Sequence, residues 1–257
     1  DPFSRVHDRS FYLVDTQSVS TLRNGKVHFG AAIPNGDFIV SVSLGFEHKE
    51  KRSIIYAVGA SAPLPRNQLN GGKNLYRSAD GGMTWQTAEA RIASNLPPSY
   101  RSVATCATRP EVAYVSYHSS GAENDPEGFF GVMKTNDGGE KWFPVWKESR
   151  SGPPQVHDPW ISERFGAAWS EHPIHLGVSP TNPNVCYGTD FGRTVRTLDG
   201  GQNWQAVYSK RLPDAGYTST GLDVTTSYGV HFDPFHTQRI FISYTDIGLF
   251  RREDGGR

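Results

Sequence analysis

The feature that most restricts this chain is a short pattern that occurs three times in full and begins a fourth time. Ser78-Ala-Asp80-Gly81-Gly82-Met-Thr84-Trp85 returns as Thr135-Asn-Asp137-Gly138-Gly139-Glu-Lys141-Trp142 and as Thr197-Leu-Asp199-Gly200-Gly201-Gln-Asn203-Trp204. The sequence then closes on Arg252-Glu-Asp254-Gly255-Gly256-Arg257, with the Asp positions 57, 62 and 55 residues apart. A fixed period of this length signals stacked copies of one supersecondary unit. Each copy reads mechanically: Asp bonds neighbouring backbone N–H groups, the Gly pair supplies turn angles closed to other residues, and the Trp returns to pack between sheets.

Ahead of each turn, β-branched and aromatic runs mark strands. They predict units over residues 38–90, 101–147, 174–209 and 227–257, with 1–37 the remnant of a further unit containing strands at Phe11 to Val14 and Lys26 to Ala31. Strands in such a meander alternate direction, so their connections fall on two opposite faces. Short turns and the Asp-Gly-Gly turns share one. The long connections, Ala60 to Asn74, His118 to Gly128, Lys147 to Pro173 and Ser209 to Ser227, share the other, and long loops on a rigid scaffold are where function usually sits.

The pattern resembles the Asp-box repeat of sialidases, xyloglucan-specific endoglucanases, sortilin-type receptors and some photosystem assembly factors. That resemblance implies an all-β chain, a β-propeller of four-stranded antiparallel blades with Asp-box hairpins. At least four blades are represented, and the stop inside the fourth motif reads as part of a larger propeller, a single domain or a fragment of one. In these families the box is structural, so Asp80, Asp137, Asp199 and Asp254 are expected to have no catalytic role.

Composition narrows the functions. Lys plus Arg and Asp plus Glu both number 26, so no basic excess points to nucleic acid. No run of about 18 apolar residues is present to span a membrane. The N-terminus has neither a Met nor an apolar leader and reads as a processed or trimmed end. Cys106 and Cys186 sit in predicted strands and outside any metal spacing; two buried thiols or one disulfide both fit. His172-Pro-Ile-His175 lacks a zinc spacing, and no P-loop, GxGxxG or GxSxG motif appears, so no metal or cofactor is expected. A sialidase would show an early Arg-Ile-Pro; Ile33-Pro34 is preceded by Ala32.

Two aspartates hold equivalent places before their turns: Asp190 in Tyr187-Gly-Thr-Asp190-Phe-Gly192, and Asp246 in Tyr244-Thr-Asp246-Ile-Gly248. Tyr117-His118 stands at the corresponding place in the second unit. Paired carboxylates across a bond are the machinery of glycoside hydrolysis. The competing reading is that each Asp caps its own turn ahead of a Gly. The stretch from Gly229 to Arg251 resembles the first-blade signature of the xyloglucan-specific endoglucanases, which implies that Asp246 is the base of an inverting reaction. Leu249 departs from that signature, which has Gly there, and the family's acid comes from a second propeller; Asp190, Asp158 or Asp223 is the candidate second carboxylate here. The resemblance also implies a polysaccharide or oligosaccharide ligand and a secreted or periplasmic location.

The insertion from Gln155 to His172 combines Trp160 and Trp169 with Asp158, Glu163 and Glu171. Aromatic planes stack on sugar rings and carboxylates bond hydroxyls, so Asp158, Trp160, Glu163 and Trp169 are candidate substrate contacts, with Tyr117 and His118. Packing of the two Trp onto neighbouring blades fits equally. Asp223 is a candidate second carboxylate. The alternative function is a non-catalytic propeller holding a protein or peptide partner.

Overall fold

The computed structural model describes residues 10–62, 72–88, 98–119, 129–149, 154–165, 175–190, 192–220, 227–233, 235–236, 238–244 and 248–253. Strands β1 (Phe11–Val14), β2 (Val19–Arg23) and β3 (Lys26–His28) form a three-stranded sheet, with one strand more than the sequence suggested. The first full blade is the antiparallel meander β4 (Phe38–Glu47), β5 (Arg52–Ala60), β6 (Asn74–Ser78) and β7 (Gln86–Ala88). The second is β8 (Ser99–Cys106), β9 (Arg109–Ser119), β10 (Phe129–Thr135) and β11 (Phe143–Ser149).

The connection to the third blade contains β12 (Val156–His157) and the short helix α1 (Trp160–Phe165). The third blade itself is β13 (His175–Val178), β14 (Cys186–Thr189), β15 (Thr194–Thr197) and β16 (Trp204–Ala206). β12 lies parallel along β16, making a fifth, outermost strand. A hairpin, β17 (Ser209–Arg211) and β18 (Tyr217–Ser219), precedes the sheet β19 (Ser227–Phe232), β20 (Ile240–Tyr244) and β21 (Gly248–Arg252).

Period-two alternation assigns each strand residue to one neighbour. Along β9, Ala113, Val115 and Tyr117 enter the core shared with the first blade, where they meet Tyr56, Val58 and Trp142. Val112 and Tyr114 enter the core shared with the third, against Trp146, Val195 and Trp204. Trp142 stands edge-on to Tyr56 with ring centroids 5.9 Å apart, and Trp146 lies 5.4 Å from Trp204. Full burial of each large side chain is worth roughly 1.5–3 kcal/mol, so these inter-sheet rows dominate cohesion.

First strands stand side by side. Their main-chain donors are met by serine hydroxyls of the adjacent blade: Val103 N to Ser41 Oγ at 3.1 Å, Thr105 N to Ser43 Oγ at 3.0 Å, and Leu176 N to Ser102 Oγ at 3.2 Å. Sheets stacked face to face with their first strands adjacent make a β-propeller.

The three Asp-Gly-Gly turns among the described residues are wired alike. In the third blade Thr197 Oγ1 donates to Asp199 Oδ1 at 2.8 Å, and Gly201 N donates to Thr197 Oγ1 at 2.8 Å. Asn203 N donates to Asp199 Oδ1 at 2.9 Å. The Asn203 backbone N–H, then its side-chain amide, hold the Asp199 carboxyl down to about 2. Gly201 has φ +95°, and a Cβ there would lie 2.6 Å from that of Val145, so no other residue fits. Gly138 N donates to Glu111 O and Gly200 N to Asn184 O, which places these turns beside the first-to-second-strand turns. The Asp190 turn, α1 and the β17–β18 hairpin belong to the other set of connections.

Candidate functional site

Arg193 organises the long-connection face around it. Asp190 directly follows β14, and its Oδ1 accepts the N–H groups of Gly192 at 3.0 Å and Arg193 at 2.7 Å, so the carboxylate builds the turn that delivers Arg193 to the head of β15. Arg193 Nε then donates to Asp190 Oδ2 at 2.6 Å with both side chains buried. Its Nη1 donates to Ser162 Oγ on α1 at 2.9 Å and stands 4.0 Å from Glu148 Oε2 on β11. The guanidinium lies over the Phe130 ring at 5.8 Å. His118, Phe130 and Glu148 are directly opposed across three strands, so one row of the second blade faces this arginine.

Two carboxyls share one cation in a water-poor setting. Burial raises the Asp190 carboxyl above its ordinary range, against the Arg193 charge and the turn N–H groups. Burial likewise raises Glu148, opposed first by the Gln155 N–H and then by Arg193. Gln155 N reaches Glu148 Oε1 at 2.6 Å, which ties the start of the insertion to the second blade.

A more open layer lies above. Asp158, with φ +56°, accepts Arg211 N at 3.3 Å on Oδ1, and its carbonyl accepts Ser209 Oγ at 2.8 Å. The Arg211 guanidinium pairs with Glu163 on α1, donates to Tyr217 OH at 2.6 Å and stacks 4.8 Å from the Tyr217 ring centroid. Desolvation first, then Glu163, pushes the Tyr217 phenol up to about 12, so it stays protonated at neutral pH. Arg211 and Glu163 side chains are 44% and 39% exposed, leaving the cluster open to ligand.

The structure thus joins Asp158 and Glu163 and adds Arg211 and Tyr217. Ser209 to Ser227 reads in the sequence as one long connection; the turn signal Leu212-Pro-Asp-Ala-Gly216 between two short runs is what could have revealed this hairpin. Trp160 is partly buried against the core between the second and third blades. Asp190 caps its own turn and is held by Arg193. Tyr117, expected at the ligand face, is fully buried because strand alternation sends it toward the first blade; its hydroxyl donates to Trp146 O at 3.4 Å. His118 is partly exposed on β9. Asp246, Asp223 and Trp169 lie outside the described residues, so the expected pairing of Asp190 with Asp246 is not part of this geometry.

Cys106 and Cys186 are buried free thiols. Among the described residues no group of three or more His, Cys, Asp or Glu is placed to hold a metal ion, and no helix is long and apolar enough to cross a membrane.

No protein-family model matches the sequence, and no curated protein does. Solved structures do resemble the fold. A GH74 xyloglucanase from Xanthomonas campestris superposes with TM-score 0.52 at 17% identity over 96% of this chain. A GH74 enzyme from Niastella koreensis gives 0.52 at 14% over 97%, and an ancestral GH74 enzyme 0.50 at 17% over 96%. This chain spans 40%, 40% and 32% of their respective lengths. At these identities the likeness speaks to the fold alone: the chain is built as β-propeller blades.

Proposed function

We propose that this chain is part of a secreted or periplasmic propeller that binds, and in its complete form hydrolyses, a β-linked polysaccharide on the long-connection face. One observation carries the reading: two separate insertions converge there to present the Tyr217 ring and hydroxyl, the Arg211 guanidinium and the Glu163 and Asp158 carboxylates. An aromatic plane ringed by donors and acceptors suits a polyhydroxylated ligand. The GH74 likeness of the fold supports the same class. In this reading Asp246 is the general base, Asp223 is a candidate second carboxylate, and Asp190 acts through Arg193 by holding α1 in place.

A polysaccharide panel tests the proposal. The full-length protein is expected to retain and cleave a β-linked glucan or its decorated relatives, and Asp246→Asn is expected to abolish cleavage while binding persists. Undiminished cleavage by that variant removes Asp246 from the mechanism.

A second reading, a non-catalytic scaffold for a protein or peptide, is favoured by one finding. Asp190, Asp158 and Glu163 are each engaged by an arginine or by backbone of their own cluster. Failure to bind any glycan, with a protein partner retained by the same face, would select it.

A further inference from the structure

Neighbouring sheets hold one another by a repeated device. In each contact a polar side chain donates to the carbonyl of the first glycine of an Asp-Gly-Gly turn: Thr21 to Gly81 at 3.2 Å, Arg77 to Gly138 at 2.9 Å, and Lys134 to Gly200 at 3.1 Å. The second glycine lies tight against the receiving sheet. A Cβ there would come within 2.4 Å of Val19 O at Gly82, 3.0 Å of Tyr56 Cε1 at Gly139 and 2.6 Å of Val145 Cβ at Gly201. The receiving face thus reads a main-chain carbonyl and the bare backbone after it. In the first and second blades a tyrosine takes a second carbonyl: Tyr56 OH donates to Pro110 O at 2.8 Å and Tyr114 OH to Pro183 O at 2.7 Å.

The third blade presents the same pair of donors with the partner missing. Tyr187 lies opposite Arg196, as Tyr56 lies opposite Arg77 and Tyr114 opposite Lys134. Tyr187 is 40% exposed, whereas Tyr56 and Tyr114 are at 0%. Arg196 Nη1 and Nη2 reach Tyr187 OH and Gln205 Oε1 only at 3.5 and 3.4 Å, and Nε is buried with no hydrogen-bond partner among the described residues. A buried guanidinium N–H without an acceptor costs free energy that a ligand oxygen would recover. Beside it lies a cavity of about 350 Å³ lined by Arg196, Leu198, Asp199, Asn203 and Trp204. The Asp199 carboxyl, held down to about 2, is ionised in that wall, so a neutral carbonyl suits the cavity better than an anion does.

We propose that this face binds a partner protein through a turn bearing two consecutive glycines, Arg196 donating to the carbonyl of the first and Tyr187 to a second main-chain carbonyl beside it. Continuity with the contacts between blades specifies the chemistry, because the donors stand at the same register and the cavity takes the place of the turn. A second copy of this chain is a poor occupant: its Gly81, Gly138 and Gly200 carbonyls are already taken by Thr21, Arg77 and Lys134. The inference goes beyond both readings above, since the surface is the stacking face of the third blade and not the set of long connections.

The probe is a backbone-cyclised peptide carrying Thr-Asn-Asp-Gly-Gly-Glu-Lys-Trp, the sequence of residues 135–142. Added to the full chain, the dye-labelled peptide is expected to bind saturably in fluorescence anisotropy and to shift the Arg196 Nε–H signal in NMR spectra. Arg196→Met is expected to weaken binding about ten-fold, the effect of one charge-assisted hydrogen bond. Arg196→Lys, which copies Lys134, is expected to keep it, separating a lost bond from a damaged blade. A peptide with alanine in place of the second glycine is expected not to bind. Absence of saturable binding, equal binding by Arg196→Met or by the alanine peptide, or a loss in Arg196→Lys as large as in Arg196→Met overturns the proposal. Displacement of the peptide by an equal concentration of inorganic phosphate overturns it too, because it makes the cavity an anion site.

Discussion

Arg193 and Asp190, three residues apart at the head of the third blade, form a buried ion pair at 2.6 Å whose carboxylate also builds the turn that presents the arginine. The pair therefore couples local chain geometry to the packing of α1 and β11. Removing the cation alone leaves Asp190 and Glu148 facing each other's field without compensation.

Arg193→Met is expected to destabilise the protein by about 3–5 kcal/mol, the range for breaking a buried pair by deleting one partner. Urea unfolding measures it. Adding Asp190→Asn to that background is expected to recover part of the loss, because it removes the stranded charge.

Glu148 predicts a pH dependence. Its folded carboxyl titrates above the ordinary value of 4.5, so the fold binds that proton more tightly than the unfolded chain does. The stability it contributes is complete below 4.5 and is lost as pH rises toward the folded value. Glu148→Gln is expected to gain on the wild type across that window, by up to about 1.4 kcal/mol per pH unit, and to be flatter in unfolding midpoints measured from acid to neutral pH. A wild-type curve that climbs across the window in parallel with the variant would contradict this.

At the open cluster the expectation reverses, with little stability at stake and binding lost. Arg211→Met and Tyr217→Phe are each expected to change stability by less than about 1 kcal/mol, as exposed pairs do. Each should weaken retention on a polysaccharide column or gel by about ten-fold, since each removes polar hydrogen-bonding groups from the cluster, and one hydrogen bond, charge-assisted for Arg211, is worth roughly 1–2 kcal/mol.

Asp199→Ala removes the acceptor that gathers the third turn, with an expected loss of about 1–2 kcal/mol at neutral pH. Because the Asp199 carboxyl is held at about 2 against an ordinary 3.8, its contribution is present above 3.8 and fades as pH falls toward 2. Acid unfolding of wild type and variant should therefore converge at the bottom of that window.

The sheets were legible because the repeat has a physical cause: only Asp followed by a Gly pair closes these hairpins, so the turns announce themselves and the strands fill the intervals. Tyr117 was harder. Its place at a predicted strand end suggested a loop-facing ring, but β9 runs on to Ser119 and alternation turns the ring inward. Arg193 carries no spacing signature, since its partners Ser162 and Glu148 come from other elements and meet it only after the blades stack. Arg211 on the hairpin joins Glu163 on α1 for the same reason, and in the sequence this whole stretch reads only as a long connection.

The two-residue strand β12, laid along β16, bears on how these molecules meet one another. An outer strand with vacant amide and carbonyl groups is a template for neighbouring chains. Here Val156 and His157 pair with Trp204 and Gln205, so the β16 edge is covered by a strand of only two residues, in the same connection that carries Asp158 and α1. Colloidal behaviour and ligand recognition thus depend on one stretch of chain, and Val156→Pro is expected to raise the self-associated fraction in light scattering of concentrated samples.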